Sequence, residues 1–171
     1  MKRLDSIADA AVRVLLANGL EAWSLDRVAR EAGCAKGLVV HHFGSRAGLL
    51  TEAAARLGRR RLAQRVAALE PGAGSAGLEE LWATIADDTD TGVSRAVVGL
   101  TAAGFRPDRE TDGDTLHAAV VRCLGIPAEA LAPAPALGAM LDGLEFALLK
   151  GVPRGAVRTA FDRLWVTMIE V

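Results

Sequence analysis

Residues Ser24 to Leu50 read SLDRVAREAGCAKGLVVHHFGSRAGLL. Leu25, Val28, Ala29 and Ala32 recur at i, i+3, i+4 and i+7, the apolar stripe of a helix packed on a core. Ser24 stands just ahead of it, where a hydroxyl can accept from the free N–H groups of the first turn. Ala32-Gly33 breaks the pattern, since Gly tolerates the left-handed backbone of a tight turn. A second helix of about two turns then runs from about Ala35 to His42, with Val39 and Phe43 pointing inward. Two short helices across a Gly-containing turn make a helix-turn-helix, whose second helix fits the DNA major groove.

Upstream, Ile7, Ala11, Val14 and Leu15 share one face of a helix from Leu4 to Asn18, and Asn18-Gly19 stops it. That helix is expected to close a three-helix head, with Trp23 as a core or hinge aromatic. Inward placement of Val39 and Phe43 leaves Lys36, Gly37, Leu38, Val40 and His41 for the outer face. Gly37 has no side chain, so backbone can approach DNA closely there. Ser45-Arg46 opens a long helix to about Leu69. A cation in a first turn opposes the macrodipole, a conflict that a phosphate at Arg46 would resolve.

The spaced pairs Val28-Ala29, Ala32-Gly33, Lys36-Gly37, His41-His42-Phe43, Ser45-Arg46 and Leu49-Leu50 resemble the TetR family of transcriptional regulators. The resemblance is close over about residues 4 to 50 and beyond them extends only to helical layout. It implies a homodimeric repressor that binds a palindromic double-stranded DNA operator and is released by a small-molecule effector, expected from the apolar faces below to be mostly apolar. It also implies that Ser24 and Arg46 clamp the backbone on either side of the groove, with Lys36, Gly37, Leu38, Val40 and His41 as the remaining DNA contacts. The chain departs from the family pattern at Trp23, Ala35 and Val40, where hydroxyl-bearing residues are common. Each departure removes a possible phosphate contact.

Charge is distributed to match. The 171-residue chain has a net charge of −1, but residues 1–65 hold 12 Lys/Arg against 6 Asp/Glu, and residues 66–171 hold 8 against 15. A basic N-terminal third suits DNA contact by one end. The arginines between 59 and 65 read as a solvated face or an inter-domain hinge.

The remainder predicts an all-α fold of about nine helices, divided into a DNA-binding domain at residues 1–50 and a ligand-binding and dimerisation domain at 51–171. Pro71 to Gly77 is a turn-rich break, Arg106 to Asp114 a polar loop, and Ala128 to Pro135 a connector. Trp82, Ile85, Val97, Phe105, Leu116, Val120, Met140 and Phe146 come from the apolar faces expected to surround a ligand cavity. The segment 136–150 is apolar nearly all round, so more than one of its faces must be covered. Leu141, Leu144, Phe161, Leu164, Trp165 and Met168 are expected to meet their symmetry mates, a pairing of the last two helices that the resemblance also implies.

Other chemistry is not supported. His41 and His42 are adjacent and project differently from a helix, His117 stands alone, and no G-x-S-x-G, P-loop, H-E-x-x-H or cysteine-pair motif occurs. No enzyme, cofactor or metal site is expected. Asp87, Asp88, Asp90, Asp108, Asp112 and Asp114 lack EF-hand spacing and read as solvated loop carboxylates. Cys34 leaves one alternative, a redox- or protein-partner-controlled regulator without a small-molecule inducer. No apolar run approaches the roughly 20 residues of a membrane span and Met1 to Asp5 opens no signal peptide, so the expected location is the cytoplasm.

Overall fold

A computed structural model of the chain describes residues 2–105 and 109–169. Among these residues there are nine α-helices: α1 (Lys2–Asn18), α2 (Leu25–Glu31), α3 (Lys36–Phe43), α4 (Arg46–Ala68), α5 (Ser75–Asp90), α6 (Val93–Ala102), α7 (Arg109–Leu124), α8 (Ala134–Leu149) and α9 (Arg154–Met168). A single 3-10 turn covers Ala128–Ala130, and Leu131 and Ile169 form an isolated bridge. No described helix is long and apolar enough to cross a membrane.

The chain divides into two compact units. Among the described residues the first, the head, takes 2–60 and 91–105. It therefore extends past residue 50 and recruits α6. Ile7, Ala11, Val14 and Leu15 of α1 meet Val28 and Ala29 of α2, Val39 of α3, and Leu49, Leu50 and Leu57 of α4. Ala96 and Leu100 of α6 complete this core. Full burial of each larger aliphatic side chain contributes roughly 1.5–3 kcal/mol against exposure. Between α2 and α3, Gly33 holds φ at +62°, and the Cys34 N–H donates to the Ala29 carbonyl at 2.9 Å. A residue with a Cβ is strained in that backbone region, so the turn specifies Gly.

The second unit takes residues 61–90 and 109–169 of the described chain. Leu81, Trp82 and Ile85 of α5, Leu116 and Val120 of α7, Leu137 and Leu141 of α8, and Phe161, Leu164 and Trp165 of α9 make its core. Phe161 sits between Trp82 and Trp165, with ring centroids 5.4 and 5.5 Å away.

Several loops are shorter than the sequence suggests. α5 begins at Ser75, inside the Pro71–Gly77 stretch, and carries Asp87, Asp88 and Asp90 as helical residues rather than loop carboxylates. Residues 106–108, with Asp108, lie outside the described residues, but α7 already starts at Arg109 and so includes Asp112 and Asp114.

Candidate nucleic-acid interface

Ser24 caps α2: its Oγ accepts from the Arg27 N–H at 3.3 Å, which leaves the hydroxyl proton free to donate outward. Arg27 in turn donates to Asn18 Oδ1 at 2.7 Å, tying α2 to the end of α1. Ala35 precedes α3 in extended conformation and supplies no side-chain cap.

On α3, Lys36, Gly37, Val40 and His41 are exposed, while Val39 is fully buried and Phe43 packs against the head core. Leu38 does not belong with the outer set. It is half-buried and packed on the same core, because α3 crosses the head closely enough to cover two adjacent positions. His42 is exposed as well, its ring 5.3 Å from that of His41 in an edge contact. Lys36 Nζ lies 2.9 Å from Asp26 Oδ2, an exposed pair that an arriving phosphate can replace.

The turn into α4 brings Arg46 to the same end of the head. Ser45 Oγ accepts from the Gly48 N–H at 3.0 Å, a first-turn cap. Gly48 is required there, since a Cβ would come 2.2 Å from the Phe43 carbonyl oxygen. Arg46 is exposed, donates to the Leu20 carbonyl at 3.4 Å, and lies with its guanidinium carbon 5.4 Å from the Trp23 ring centre. Trp23 is buried and donates from Nε1 to the Ala11 carbonyl at 2.9 Å. Further along α4, Arg56 bridges Asp5 and Asp9 of α1, and those two carboxylates raise its pKa.

The eight residues expected to enclose a ligand are not brought together. Val97 and Phe105 pack on the head core, and Met140 and Phe146 are exposed. Trp82, Ile85, Leu116 and Val120 fill the second core against the aromatic side chains of α9. An open cleft of about 510 Å³ lies elsewhere in that unit, lined by Gly113 and Asp114 of α7 and Ala134, Pro135, Gly138, Ala139 and Asp142 of α8. None of the eight lines it.

A buried ion cluster occupies the second unit and was not anticipated. Arg61 and Arg65, one turn apart on α4, reach Asp88 of α5 and Glu145 of α8. Arg65, Asp88 and Glu145 are 5%, 3% and 3% exposed. Arg61 also lies 3.8 Å from Asp142, on the wall of the cleft. Burial, then the neighbouring Arg61, lowers Arg65 to about 10 against the opposing pull of Asp88. This corrects two expectations: Arg61 and Arg65 are not a solvated face, and Asp88 is not a solvated carboxylate. Asp142 and Glu145 in an otherwise apolar helix are the available signal, since a charge among leucines needs a partner.

The residues expected between subunits also face inward. Leu141, Phe161, Leu164, Trp165 and Met168 are buried in the chain's own core, and Leu144 is half-buried against it. Their stripe is the more apolar face of each helix, and α5 and α7 already cover it. The outward faces instead carry Ala136, Ala139, Met140, Gly143 and Phe146 on α8, and Ala156, Thr159, Ala160, Arg163 and Val166 on α9, with Asp162 exposed beside them. Val166 is 81% exposed and Phe146 50%. Cys34 is half-buried against the head core, and burial raises the pKa of the Cys123 thiol in the second unit.

Residues 7–53 match the family described as bacterial regulatory proteins, tetR family. The multidrug binding protein EbrR, in a structure complexed with imidazole, is 27% identical, with 99% of this chain and 91% of that one covered at a TM-score of 0.69. A TetR-family member from Streptomyces coelicolor A3 is 26% identical over the full length of both chains, at a TM-score of 0.64. A TetR-family regulator from Marinobacter aquaeolei VT8 shares the fold at 16% identity, again over both full chains, with a TM-score of 0.70. No curated protein sequence gives a significant match. The chain therefore matches the tetR family over residues 7–53, the head that carries the exposed α3, and shares the fold of TetR-family transcriptional regulators along its whole length.

Proposed function

We propose that the protein is a repressor that binds a palindromic operator as a homodimer and is released by a small ligand. The observation that carries the DNA reading is the arrangement of one end of the head. Lys36, Val40 and His41 are exposed on α3, with Ser24 and Arg46 at the starts of α2 and α4. Lys36 reaches a guanine edge or a phosphate, Val40 suits a thymine methyl, and His41, Ser24 and Arg46 serve the backbone. Two heads in a symmetric dimer require half-sites one helical turn apart, roughly 34–36 Å, or a multiple of it.

The dimer face in this reading is the outward stripe of α8 and α9, centred on Met140, Gly143, Phe146 and Val166, because the inward stripe is occupied. Small residues between the larger ones let two such faces approach closely, and an isologous contact would bury both. The ligand site is the α7–α8 cleft, whose volume suits a small molecule. Its described lining is mostly small and apolar, and the charges on it are two carboxylates, Asp114 and Asp142. That chemistry favours an organic cation, a class consistent with a multidrug-binding relative. Such a ligand acts only by binding the DNA-incompetent dimer more tightly than the competent one.

The test separates backbone from base contacts. Arg46→Ala is expected to weaken binding to all sequences alike and to lower the salt slope by about one unit per head. Val40→Ala is expected to change base preference and leave the slope in place. Leu38→Ala, from a half-buried position, combines altered binding with a loosened head. If Arg46→Ala leaves both affinity and salt dependence intact, the docking face is wrong.

A further inference from the structure

We propose that Trp23 is a positioning residue for DNA binding, holding the Arg46 guanidinium in place before a phosphate arrives. The inference rests on the reading of Arg46 as a backbone clamp and adds the means by which that clamp is set. Arg46 is the first residue of α4, where its charge opposes the positive end of the helix dipole. An exposed arginine so placed has every reason to swing into solvent. Two contacts restrain it: the face of the Trp23 ring, 5.4 Å from the guanidinium carbon, and the Leu20 carbonyl, 3.4 Å from Nη2. A cation over an indole face is attracted by the ring quadrupole, most strongly for Trp among the aromatic residues.

The indole is itself fixed. Trp23 is 2% exposed and its Nε1–H donates to the Ala11 carbonyl on α1 at 2.9 Å, which sets the ring plane. The order of support therefore runs from the α1 backbone to the indole and from the indole to the guanidinium. A preset guanidinium loses less rotamer freedom on meeting a phosphate, so the contact forms at lower entropic cost. The hydroxyl-bearing residue common at this position would offer one phosphate contact of its own. Trp23 offers none and instead strengthens the contact made by another residue.

A double-mutant cycle on the full-length protein tests this. Wild type, Trp23→Leu, Arg46→Ala and the double variant are titrated with a generic duplex across a salt series, because phosphate contacts do not depend on sequence. Trp23→Leu is expected to weaken binding about two- to fivefold per head and to move the salt slope toward that of Arg46→Ala. In the Arg46→Ala background the same substitution is expected to cost nothing further. Trp23→Phe, which keeps a ring and most of the bulk but loses the bond to Ala11, gives a smaller loss that also vanishes without Arg46. It decides the question if Trp23→Leu loses helicity. A folded Trp23 variant with wild-type affinity and slope, or a loss that adds in full to that of Arg46→Ala, overturns the proposal. An Arg46→Ala variant that binds like wild type overturns the clamp itself, and the cycle distinguishes that result from the other two.

Discussion

The head and the second unit differ in the charges they bury: both carry ion pairs at the surface, and the second unit also encloses a set of them. The described ion pairs of the head lie at its surface: Arg13 with Glu31, Lys36 with Asp26, and Arg56 with Asp5 and Asp9. Its core is apolar, and such pairs contribute little to stability, so they can be exchanged for phosphates. In the second unit Arg65, Asp88 and Glu145 are withdrawn from water, with Arg61 at their margin. Desolvating those groups is expensive, and their mutual attraction offsets it only while the set is complete. A surface that must accept DNA keeps its cations accessible. An interior that keeps buried charge gains specificity of packing more than stability, and any ligand that disturbs Asp142 disturbs its contact with Arg61.

The largest effect that would break this contrast is expected at Glu145. Glu145→Ala leaves Arg61 and Arg65 short of a buried carboxylate and should destabilise the second unit by about 3–5 kcal/mol in chemical denaturation. Pairing Glu145→Leu with Arg65→Met should recover most of that loss, since an apolar pair of similar volume carries no desolvation cost. A mild Glu145→Ala variant would place the cluster in water.

Gly48→Ala comes next. Its Cβ would press on the Phe43 carbonyl, a backbone atom that cannot rotate away, and overpacking of this kind costs about 1–3 kcal/mol. The cost should appear in denaturation of the head together with weaker DNA binding, because α3 and the Arg46 end of α4 meet at this turn.

In the head, Arg56→Ala is expected to cost about 1 kcal/mol or less, although Arg56 contacts three carboxylates, Asp5, Asp9 and Glu52. Comparing its denaturation midpoint with that of Glu145→Ala sharpens the contrast directly. The smallest effect is a gain: Asp26→Asn frees Lys36 from its 2.9 Å partner and should tighten binding to a generic duplex about twofold, with a steeper salt slope.

These differences also explain what could be read from the sequence. The helix-turn-helix was legible because its determinants are local: a Ser cap, a stripe at i, i+3 and i+4, and Gly33 at a positive φ. Arg65 and Glu145 are 80 residues apart, and no periodicity in either helix announces the pairing. The inward packing of the residues expected at a dimer face has a different cause. α8 has two apolar faces, and hydrophobic pattern alone cannot say which one the chain itself covers; the Leu137–Leu141 face went inside and the Met140–Phe146 face remained out. Apolarity, the property the expected ligand residues share, marks a packed interior as readily as a cavity, whereas the α7–α8 cleft is walled by Ala, Gly and Pro together with Asp114 and Asp142. Leu38, expected on the outer face of α3, is half-buried, because its position borders the inward Val39 and the periodicity of so short a helix does not separate half-burial from exposure.

The central claim, that two heads dock through α3 in a symmetric dimer, is tested most directly by a hydroxyl-radical footprint on the DNA flanking the protein's own gene. Two protected backbone patches are expected on one face of the duplex, separated by one helical turn or a multiple of it. Both should fade together in Arg46→Ala and in Phe146→Asp, the second by separating the subunits. A single protected patch, or a pair that survives Phe146→Asp unchanged, would contradict it.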